Sequence, residues 1–326
     1  MSGLVDPFGR NIHYLRLSVT DRCDLRCQYC LPEGFNDFDE PEDWLSFAEL
    51  TRVVRAFAEL GTHRIRITGG EPLVRRDLPA LIGSLAALPG IDDLSLSTNA
   101  TRLRRLAAPL HVAGIRRLNV SLDSLDAATY RRITRGKLDK VVDGLMAAKA
   151  AGFAPIKINM VVMKGINDHE VVDMVEFCKT HGFTLRFIET MPVGDTGRSA
   201  TEHYISLDII RERLAARYTL TDGHLSGGGP ARYVRVDDSP LHVGFITPMS
   251  QHFCDTCNRV RLSADGTLYL CLGQDDKYEL RPLLRAGISD AELREHIAHA
   301  ITLKPERHEF RETPSRVVRF MSMTGG

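Results

Sequence analysis

Three cysteines near the start of the chain, Cys23, Cys27 and Cys30, are spaced as C-x3-C-x2-C. Three thiolates at this spacing can hold three corners of a [4Fe–4S] cube, which leaves the fourth iron open to a ligand that is not protein. Clusters used only for electron transfer usually take four cysteines, so an open iron suggests chemistry. Structural zinc prefers four protein ligands and C-x2-C pairs, and unpaired loop cysteines rarely come as such a triplet. The spacing therefore favours a reactive cluster.

The residues around these cysteines resemble the radical S-adenosylmethionine enzymes. Tyr29 is an aromatic residue just before the last cysteine, as in that family. A second family signature, Gly69-Gly70-Glu71-Pro72, directly follows an apolar, strand-like run. Alone, this tetrapeptide is only a glycine turn. Together with the cysteines it implies that S-adenosylmethionine binds the open iron, where one-electron reduction cleaves it to a 5′-deoxyadenosyl radical.

Strand-like runs alternate with amphipathic helical stretches in the first part of the chain. The strand candidates are Tyr14–Thr20, Arg64–Thr68, Asp93–Thr98, Arg117–Ser121, Ile156–Val162 and Thr184–Glu189. Six such β-α units predict an α/β fold with a parallel sheet and right-handed crossovers, and with functional loops at the carboxyl ends of the strands. These patterns fit a doubly wound sheet or a partial barrel. The family resemblance implies the second, an open, TIM-like partial (β/α)6 barrel.

Two helices carry clear signals. Ser46 and Glu49 form a capping box ahead of apolar residues at helical spacing. Asp168 is predicted to cap another helix, with Cys178 on its apolar face. We therefore expect Cys178 to be a small buried residue and not a metal ligand. A further helix is predicted around Leu207–Arg217.

Composition narrows the classes of function. The chain has 326 residues, with 42 basic and 42 acidic side chains, so no overall charge points to nucleic acid or a membrane. It has no signal-peptide pattern at its start and no apolar run long enough to span a bilayer. We expect a cytoplasmic protein whose seven cysteines are reduced. We also expect two regions, residues 1–189 and a smaller one, residues 190–326, that packs against the barrel mouth.

A second cysteine set, Cys254, Cys257 and Cys271, is spaced as C-x2-C-x13-C. His252 or His242 could supply a fourth ligand to zinc. The spacing alone leaves zinc and a second iron–sulfur cluster as equal alternatives.

The residues around this set are very similar to the carboxy-terminal motif of the GTP 3′,8-cyclase family, which carries out the first step of molybdenum cofactor biosynthesis. The similarity covers nearly the whole chain, from Phe8-Gly9-Arg10 through Arg186-Phe187-Ile188-Glu189 to the terminal Gly325-Gly326. The chain has Asp24, Leu31 and Thr324 where the family usually has Asn, Met and an aliphatic residue. None of these departures touches a ligand position.

The resemblance assigns roles to individual residues. Cys23, Cys27 and Cys30 would hold the cluster that reduces S-adenosylmethionine, and Cys254, Cys257 and Cys271 would hold a second [4Fe–4S] cluster that meets the guanine of GTP. The contacts to S-adenosylmethionine would come from Tyr29, Gly70, Glu71, Thr98, Ser121 and Met191. The GTP triphosphate needs a cluster of fixed cations, and the matching residues are Arg16, Arg66, Lys157, Arg186, Arg259 and Arg261.

The same resemblance implies a reaction and partners. The adenosyl radical would take hydrogen from C3′ of GTP, and the resulting carbon radical would add to C8. Reduction and protonation would then give 3′,8-cyclo-7,8-dihydro-GTP. The implied partners are a flavodoxin or ferredoxin as electron donor and a downstream cyclic pyranopterin monophosphate synthase. A homodimer and a Gly325-Gly326 tail that enters the active site are also implied.

Any single arginine can instead be a solvated surface charge. We expect that of six arginines in predicted helices or turns, namely Arg75, Arg76, Arg104, Arg105, Arg131 and Arg132. Arg16 and Arg66 differ, because they lie inside strands beside apolar neighbours, where an unpaired charge is costly. Three rival functions remain: another radical enzyme with an auxiliary cluster, an electron-transfer or zinc-binding protein without radical chemistry, and a family member that has lost activity. The intact ligand sets argue against the third.

Overall fold

A computed structural model of the chain describes residues 3–32, 41–225 and 227–325. All six predicted strands are present. Each begins at its predicted residue and ends within two residues of its predicted last residue. They are β1 (Tyr14–Ser18), β2 (Arg64–Thr68), β3 (Asp93–Thr98), β4 (Arg117–Ser121), β5 (Ile156–Val161) and β6 (Thr184–Ile188). Neighbours in this order pair in parallel, so the predicted parallel sheet is confirmed.

Helices connect the strands and continue beyond them. In chain order they are α1 (Phe47–Glu59), α2 (Leu78–Ala86), α3 (Leu103–Ala113), α4 (Ala127–Thr134), α5 (Leu138–Ala150), α6 (Val171–His181), α7 (Gly194–Ala200), α8 (Leu207–Ala215), α9 (Arg281–Arg285), α10 (Asp290–Thr302) and α11 (Met321–Thr324). Short 3₁₀ helices cover Pro72–Val74, Thr201–His203 and Cys254–Thr256. None of the helices in these described ranges has the length and apolarity that a bilayer crossing needs.

Residues after 189 extend the same sheet at both edges. The later strands are β7 (Leu220–Gly223), β8 (Arg232–Val236), β9 (His242–Ile246), β10 (Arg259–Leu262), β11 (Thr267–Tyr269) and β12 (Lys277–Glu279). β9 pairs in parallel with β6, and β10 pairs in parallel with β1. The remaining later strands add antiparallel hairpins outside these two. The chain therefore brings its second cysteine set beside β1.

Alternation along the strands separates the core from the site. Leu15 and Leu17 are fully buried and belong to the apolar core that the strands share with the helices. Arg16, between them, has the opposite direction, because successive side chains of a strand point to opposite faces. It lines a cleft inside the barrel together with Tyr14. One face of β1 thus builds the core and the other builds the site.

Of the three local predictions for the helices, two are confirmed and one is wrong. The capping box of Ser46 and Glu49 is present at the start of α1, as predicted. Cys178 is fully buried in the core, also as predicted. The prediction for Asp168 was wrong: α6 starts after Glu170, and Asp168 instead accepts a 2.7 Å hydrogen bond from the Gly165 amide. That bond closes a turn ahead of the helix, so the carboxylate is engaged before the helix begins.

The prediction that Arg75 is a solvated charge was also wrong. Arg75 is 9% exposed, and its guanidinium donates hydrogen bonds to the carbonyls of Val19 and Leu45. The same group lies over the rings of Trp44 and Phe47. Arg75 therefore fastens the segment after β1, which leads into the first cysteine loop, to the start of α1.

Candidate active site

The first cysteine triplet lies in a loop after β1, at the carboxyl end of the strand. The Cys30 amide donates to the Cys27 carbonyl at 2.9 Å, which turns the backbone between these two residues. The Arg26 and Gln28 amides donate to the carbonyls of Thr134 and Ile133, at the end of α4. The loop is thus held from within and from a neighbouring helix. Its three thiols line one cleft of about 1000 Å³.

All the residues predicted to contact S-adenosylmethionine line this first cleft together with the three thiols. They come from the first cysteine loop, the ends of β2, β3 and β4, and the segment after β6: Tyr29, Gly70, Glu71, Thr98, Ser121 and Met191. The parallel order of the strands brings these separate ends to one edge. The cleft joins three soft sulfur donors to hydroxyl, carboxylate and backbone groups, and this donor set fits a cluster with a polar organic ligand.

Glu71 is the most constrained of these groups. It is 1% exposed, and its carboxylate accepts hydrogen bonds from the amides of Leu73 and Asn99 and from the Thr98 hydroxyl. Burial, followed by the charge of Asp24, raises the pKa of Glu71 to about 8. A cationic ligand group beside it would stabilise its ionised form. An amino group bound in this cleft would therefore find a fixed carboxylate.

Gly70 permits a close approach of two loops. A Cβ atom at this position would lie 2.3 Å from the Arg22 carbonyl oxygen, inside the first cysteine loop. Any side chain would push that loop away. The glycine-rich turn is therefore packed directly against the backbone that carries Cys23.

The thiols of the first triplet are held in the protonated form until they meet a metal. Burial raises the pKa of Cys30 to about 12, and it raises the pKa of Cys23 and Cys27 as well. The nearby Asp123 carboxylate adds to the effect on Cys27 and Cys30. Iron binds thiolates, so cluster assembly at this site releases protons.

The second cleft, of about 950 Å³, adjoins the first. Both clefts are lined by Asn159, Ile188 and Met191, so these three side chains form a shared wall. The second cleft collects the second cysteine triplet and five predicted cations: Cys254, Cys257, Cys271, Arg16, Arg66, Arg186, Arg259 and Arg261. Two sulfur triplets therefore face adjoining spaces, although they are far apart in sequence.

Strand pairing explains why the second triplet and the arginines meet. β10 begins two residues after Cys257 and pairs with β1, placing Arg259 opposite Tyr14 and Arg261 opposite Arg16. Arg259 and Arg261 share one face of β10, as their alternation predicts. The sixth predicted cation, Lys157, lies in an adjoining basic cleft of about 440 Å³ that Arg66 and Arg186 also line.

These cations are buried or half-buried, and their guanidinium groups have few hydrogen-bond partners. Within the described residues, Arg16, Arg66, Arg186, Arg259 and Arg261 each have a buried Nε atom without a hydrogen-bond acceptor. Burial, with repulsion from neighbouring cations, lowers the pKa of Arg261 to about 10 and that of Lys157 to about 8. Burial likewise lowers the pKa of Arg186 to about 10. Such crowding is costly unless an anion enters. The space between them is therefore suited to a polyanion.

The histidines named as alternative zinc ligands lie in different places. In the part of the chain that the structure describes, one set of His, Cys, Asp and Glu gathers its ligand atoms within 4.8 Å, namely His252, Cys254 and His308. His242 lies on β9, where its Nδ1 is 3.0 Å from the Pro240 carbonyl. Cys257 and Cys271 are outside the close set, so the three thiols are not gathered around a single ion. His308 was missed from the sequence, because no motif marks it.

Buried basic residues hold the loops of the second triplet. Arg10 donates to the Cys254 carbonyl at 2.9 Å, and Arg319 donates to the Cys271 carbonyl at 3.0 Å. Both are less than one tenth exposed, and each pairs with its own carboxylate, Asp6 or Asp275. The sequence placed Arg10 in a family motif without a role and did not single out Arg319. Arg10 is 244 residues from Cys254 and Arg319 is 48 residues from Cys271, so no local pattern connects either arginine to the cysteines.

The C-terminal helix α11 closes one side of the first cleft. Met321 lines that cleft, and the Ser322 backbone amide near the Cys30 thiol opposes the rise of the Cys30 pKa that burial causes. Gly325 has a positive φ of 68°, and a Cβ there would lie 2.2 Å from the Thr68 hydroxyl. The structure thus brings Gly325 against the end of β2. Gly326, the other half of the predicted tail, lies outside the described residues.

Comparison with known proteins agrees with this arrangement. Residues 17–178 match the Radical SAM superfamily, and residues 183–310 match the family described as Molybdenum Cofactor Synthesis C. A protein of Nitrobacter hamburgensis named GTP 3′,8-cyclase is 49% identical to this chain, over 99% of it and 96% of its own length. The chain belongs to the GTP 3′,8-cyclase family. A GTP 3′,8-cyclase of Ectopseudomonas mendocina is 50% identical, over 99% of this chain and 98% of its own.

Solved structures agree on the fold of this GTP 3′,8-cyclase family member. Streptococcus suis SuiB bound to the precursor peptide SuiA matches with a TM-score of 0.64 at 15% identity, covering 97% of this chain and 77% of SuiB. At that identity the likeness concerns the fold alone. The family, the enzyme class and the partial-barrel fold predicted from the sequence are confirmed.

Proposed function

We propose that this chain converts GTP to 3′,8-cyclo-7,8-dihydro-GTP, the first step of molybdenum cofactor biosynthesis. One observation carries the proposal. A cleft with the first thiol triplet shares a wall of Asn159, Ile188 and Met191 with a cleft that holds the second triplet and five arginines, four of them buried. A radical made in the first cleft and a nucleotide held in the second would be neighbours. The named relatives support this substrate.

The first cleft is the proposed site of S-adenosylmethionine. Cys23, Cys27 and Cys30 would hold its [4Fe–4S] cluster. When bound, the cluster and S-adenosylmethionine would supply a 5′-deoxyadenosyl radical able to take the C3′ hydrogen of GTP. Bonding of C3′ to C8 would then require one electron and one proton, the electron coming from the external donor. Glu71 would fix the amino group of the cofactor, because it is a buried carboxylate held by three donors. The five other contacts are proposed for Tyr29, Gly70, Thr98, Ser121 and Met191.

The second cleft is the proposed site of GTP. Cys254, Cys257 and Cys271 would hold a second [4Fe–4S] cluster beside the guanine. Their thiols are not drawn together around one position, which supports a cluster over a single zinc ion, because a cluster spreads its thiolates over several irons. The triphosphate would lie among the cations whose Nε atoms lack acceptors, where bidentate arginine contacts are strong. Arg16, Arg66, Lys157, Arg186, Arg259 and Arg261 would supply those contacts.

The main work of the protein is then positioning and exclusion. The buried arginines fix the triphosphate, so the ribose is held toward the shared wall. The enclosing side chains keep water from the reactive carbon. We propose two regions that meet at residue 189. Residues 1–189 would form the region in which the radical is generated, and residues 190–326 would supply the ligands of the second cluster. We further propose a flavodoxin or ferredoxin as electron donor, a cyclic pyranopterin monophosphate synthase as consumer of the product, a cytoplasmic location and a homodimer.

Iron content and cofactor cleavage test the proposal together. The chain is purified without oxygen and reconstituted with iron and sulfide, and iron per chain is measured. Formation of 5′-deoxyadenosine from S-adenosylmethionine and dithionite is then followed with and without GTP. About eight irons per chain and GTP-dependent 5′-deoxyadenosine are expected. About four irons together with one zinc, and cleavage indifferent to GTP, would contradict the proposed substrate and the second cluster.

A further inference from the structure

Lys304 is a buried lysine just after α10 that no motif marks. It is 3% exposed, and its Nζ donates a 2.5 Å hydrogen bond to the carbonyl of Leu270, the residue before Cys271. No carboxylate of residues 3–32, 41–225 or 227–325 lies within the 4.0 Å of Nζ that defines an ion pair. A buried ammonium without an anion is costly. The position of Lys304 therefore calls for a negative partner of another kind.

The groups near Lys304 that can carry a negative charge are cysteine thiols, since its Nζ bonds the carbonyl of the residue before Cys271. Cys257 and Cys271 are the neighbours whose charges favour its ionised form, whereas Arg10 and Arg261 oppose it. Arg10 and Arg319 also touch these loops, but each pairs with an aspartate. Lys304 differs from both because, within the described residues, its ammonium group forms no ion pair with a carboxylate. It therefore faces the second cysteine triplet as an uncompensated positive charge.

The first triplet has different surroundings. Two buried carboxylates, Glu71 and Asp123, line its cleft, and both oppose the ionisation of its thiols. The cation on its backbone, Arg26, donates to the Cys23 carbonyl from a partly exposed position. A change at Lys304 therefore acts on one triplet and leaves the other as an internal reference.

We propose that Lys304 is a positioning residue that acts as the countercharge of the second cluster and raises its reduction potential. The inference rests on the proposed function, since it requires a cluster on Cys254, Cys257 and Cys271. Reduction adds an electron to a group that already carries three thiolates. A nearby ammonium in a low-dielectric interior stabilises the more negative form, and net charge and hydrogen bonding are among the factors that set cluster potentials.

Three variants of the full chain test the role. Lys304→Gln keeps an N–H donor for the Leu270 carbonyl but removes the charge, and Lys304→Arg keeps the charge. Lys140→Gln is the matched control, because Lys140 is exposed on α5. Each protein is reconstituted without oxygen, its iron is counted, and its clusters are titrated with reductant while the EPR signal is followed. The same set is built with Cys23, Cys27 and Cys30 changed to Ala, so that only the second cluster reports.

The expected result is specific to one cluster and to charge. Lys304→Gln shifts the potential of the second cluster to more negative values, Lys304→Arg stays near the unaltered protein, and the first cluster does not move. Loss of the second cluster in Lys304→Gln alone, with Lys304→Arg retaining it, supports the same role. An unchanged potential in a fully loaded Lys304→Gln overturns the proposal. So does loss of the second cluster in both variants, because shape and not charge would then matter.

A different result would contradict the proposed function, namely the iron content of the unaltered protein. If the unaltered protein takes up only four irons per chain, with no signal in the Cys23, Cys27 and Cys30 variant, there is no second cluster to tune. That result appears before any change at Lys304 is made. A negative result at Lys304 in a protein with eight irons leaves the two-cluster function intact.

Discussion

The Tyr29 hydroxyl donates a 2.7 Å hydrogen bond to Oδ2 of Asp123 and so ties the first cysteine loop to the end of β4. Oδ1 of the same carboxylate accepts from the Val161 amide at the end of β5. Asp123 is 2% exposed, and burial raises its pKa to about 6. One side chain thus fixes the residue between Cys27 and Cys30 relative to two strand ends.

Removing that hydroxyl should loosen the first cluster. In Tyr29→Phe, Oδ2 of Asp123 loses its donor, which costs about 1–3 kcal/mol for a buried acceptor. We expect iron to leave the first cluster faster in the presence of a chelator. Tyr218→Phe is the control, because its hydroxyl donates to Glu176, between the end of α8 and α6. Equal rates of iron loss in Tyr29→Phe and the unaltered protein would contradict the role of this bond.

A side chain at Gly70 should displace the loop that carries Cys23. The added Cβ of Gly70→Ala would lie 2.3 Å from the Arg22 carbonyl, where no flexible group can give way. We expect reconstituted Gly70→Ala to hold about half the iron of the unaltered protein and to cleave no S-adenosylmethionine. Gly83→Ala in α2 is the control: a Cβ there meets nothing within 4 Å, so it should keep its iron and gain about 0.5–1 kcal/mol of stability. Full iron and normal cleavage in Gly70→Ala would count against the packing argument.

Arg186 should bind the triphosphate and not the nucleoside. Its guanidinium is 4% exposed, with Nη2 on Asn119 and a buried Nε without an acceptor. We expect Arg186→Met to weaken GTP binding about 10–100-fold, the value of a hydrogen bond to a charged group. Guanosine binding should change little. Arg104→Met is the exposed control. A loss of guanosine affinity as large as the loss of GTP affinity would mean that Arg186 supports the base and not the phosphates.

Lys157 should make GTP binding sensitive to alkaline pH. Burial, with the charges of Arg186, Arg117 and Arg66, lowers its pKa to about 8, so the free protein loses this positive charge as pH rises through that value. We expect kcat/KM for GTP, which reports the free enzyme, to fall between pH 7 and 9. In Lys157→Arg the fall should move upward, because a guanidinium stays protonated. The same fall at the same pH in Lys157→Arg would show that another group titrates.

Much of the fold was readable because its signals are local. The strands from β1 to β6 are short apolar runs between helical stretches, and their predicted starts are those observed. The predicted cofactor contacts meet in one cleft because parallel strands end at one edge. Asp168 was misread because one residue can close a turn or cap a helix, and only the backbone decides which.

Long-range pairing could not be read in the same way. Nothing in residues 242–246 or 259–262 says that β9 joins β6 and β10 joins β1, yet these pairings bring Arg259 and Arg261 to the second cleft. Arg75 was misplaced for a similar reason: its acceptors, Val19 and Leu45, are distant in sequence. Lys304 has no motif and becomes visible only once its burial beside Cys271 is known.

The fate of one hydrogen atom tests the central claim most directly. The reconstituted protein is given S-adenosylmethionine, dithionite and GTP carrying deuterium at C3′ of the ribose, and the 5′-deoxyadenosine is analysed by mass spectrometry. If the adjoining clefts hold cofactor and substrate as proposed, the 5′-deoxyadenosine gains deuterium, and GTP deuterated elsewhere on the ribose transfers none. The account would be contradicted if the 5′-deoxyadenosine formed in the presence of C3′-deuterated GTP carried no deuterium and if its rate of formation were the same when GTP was left out.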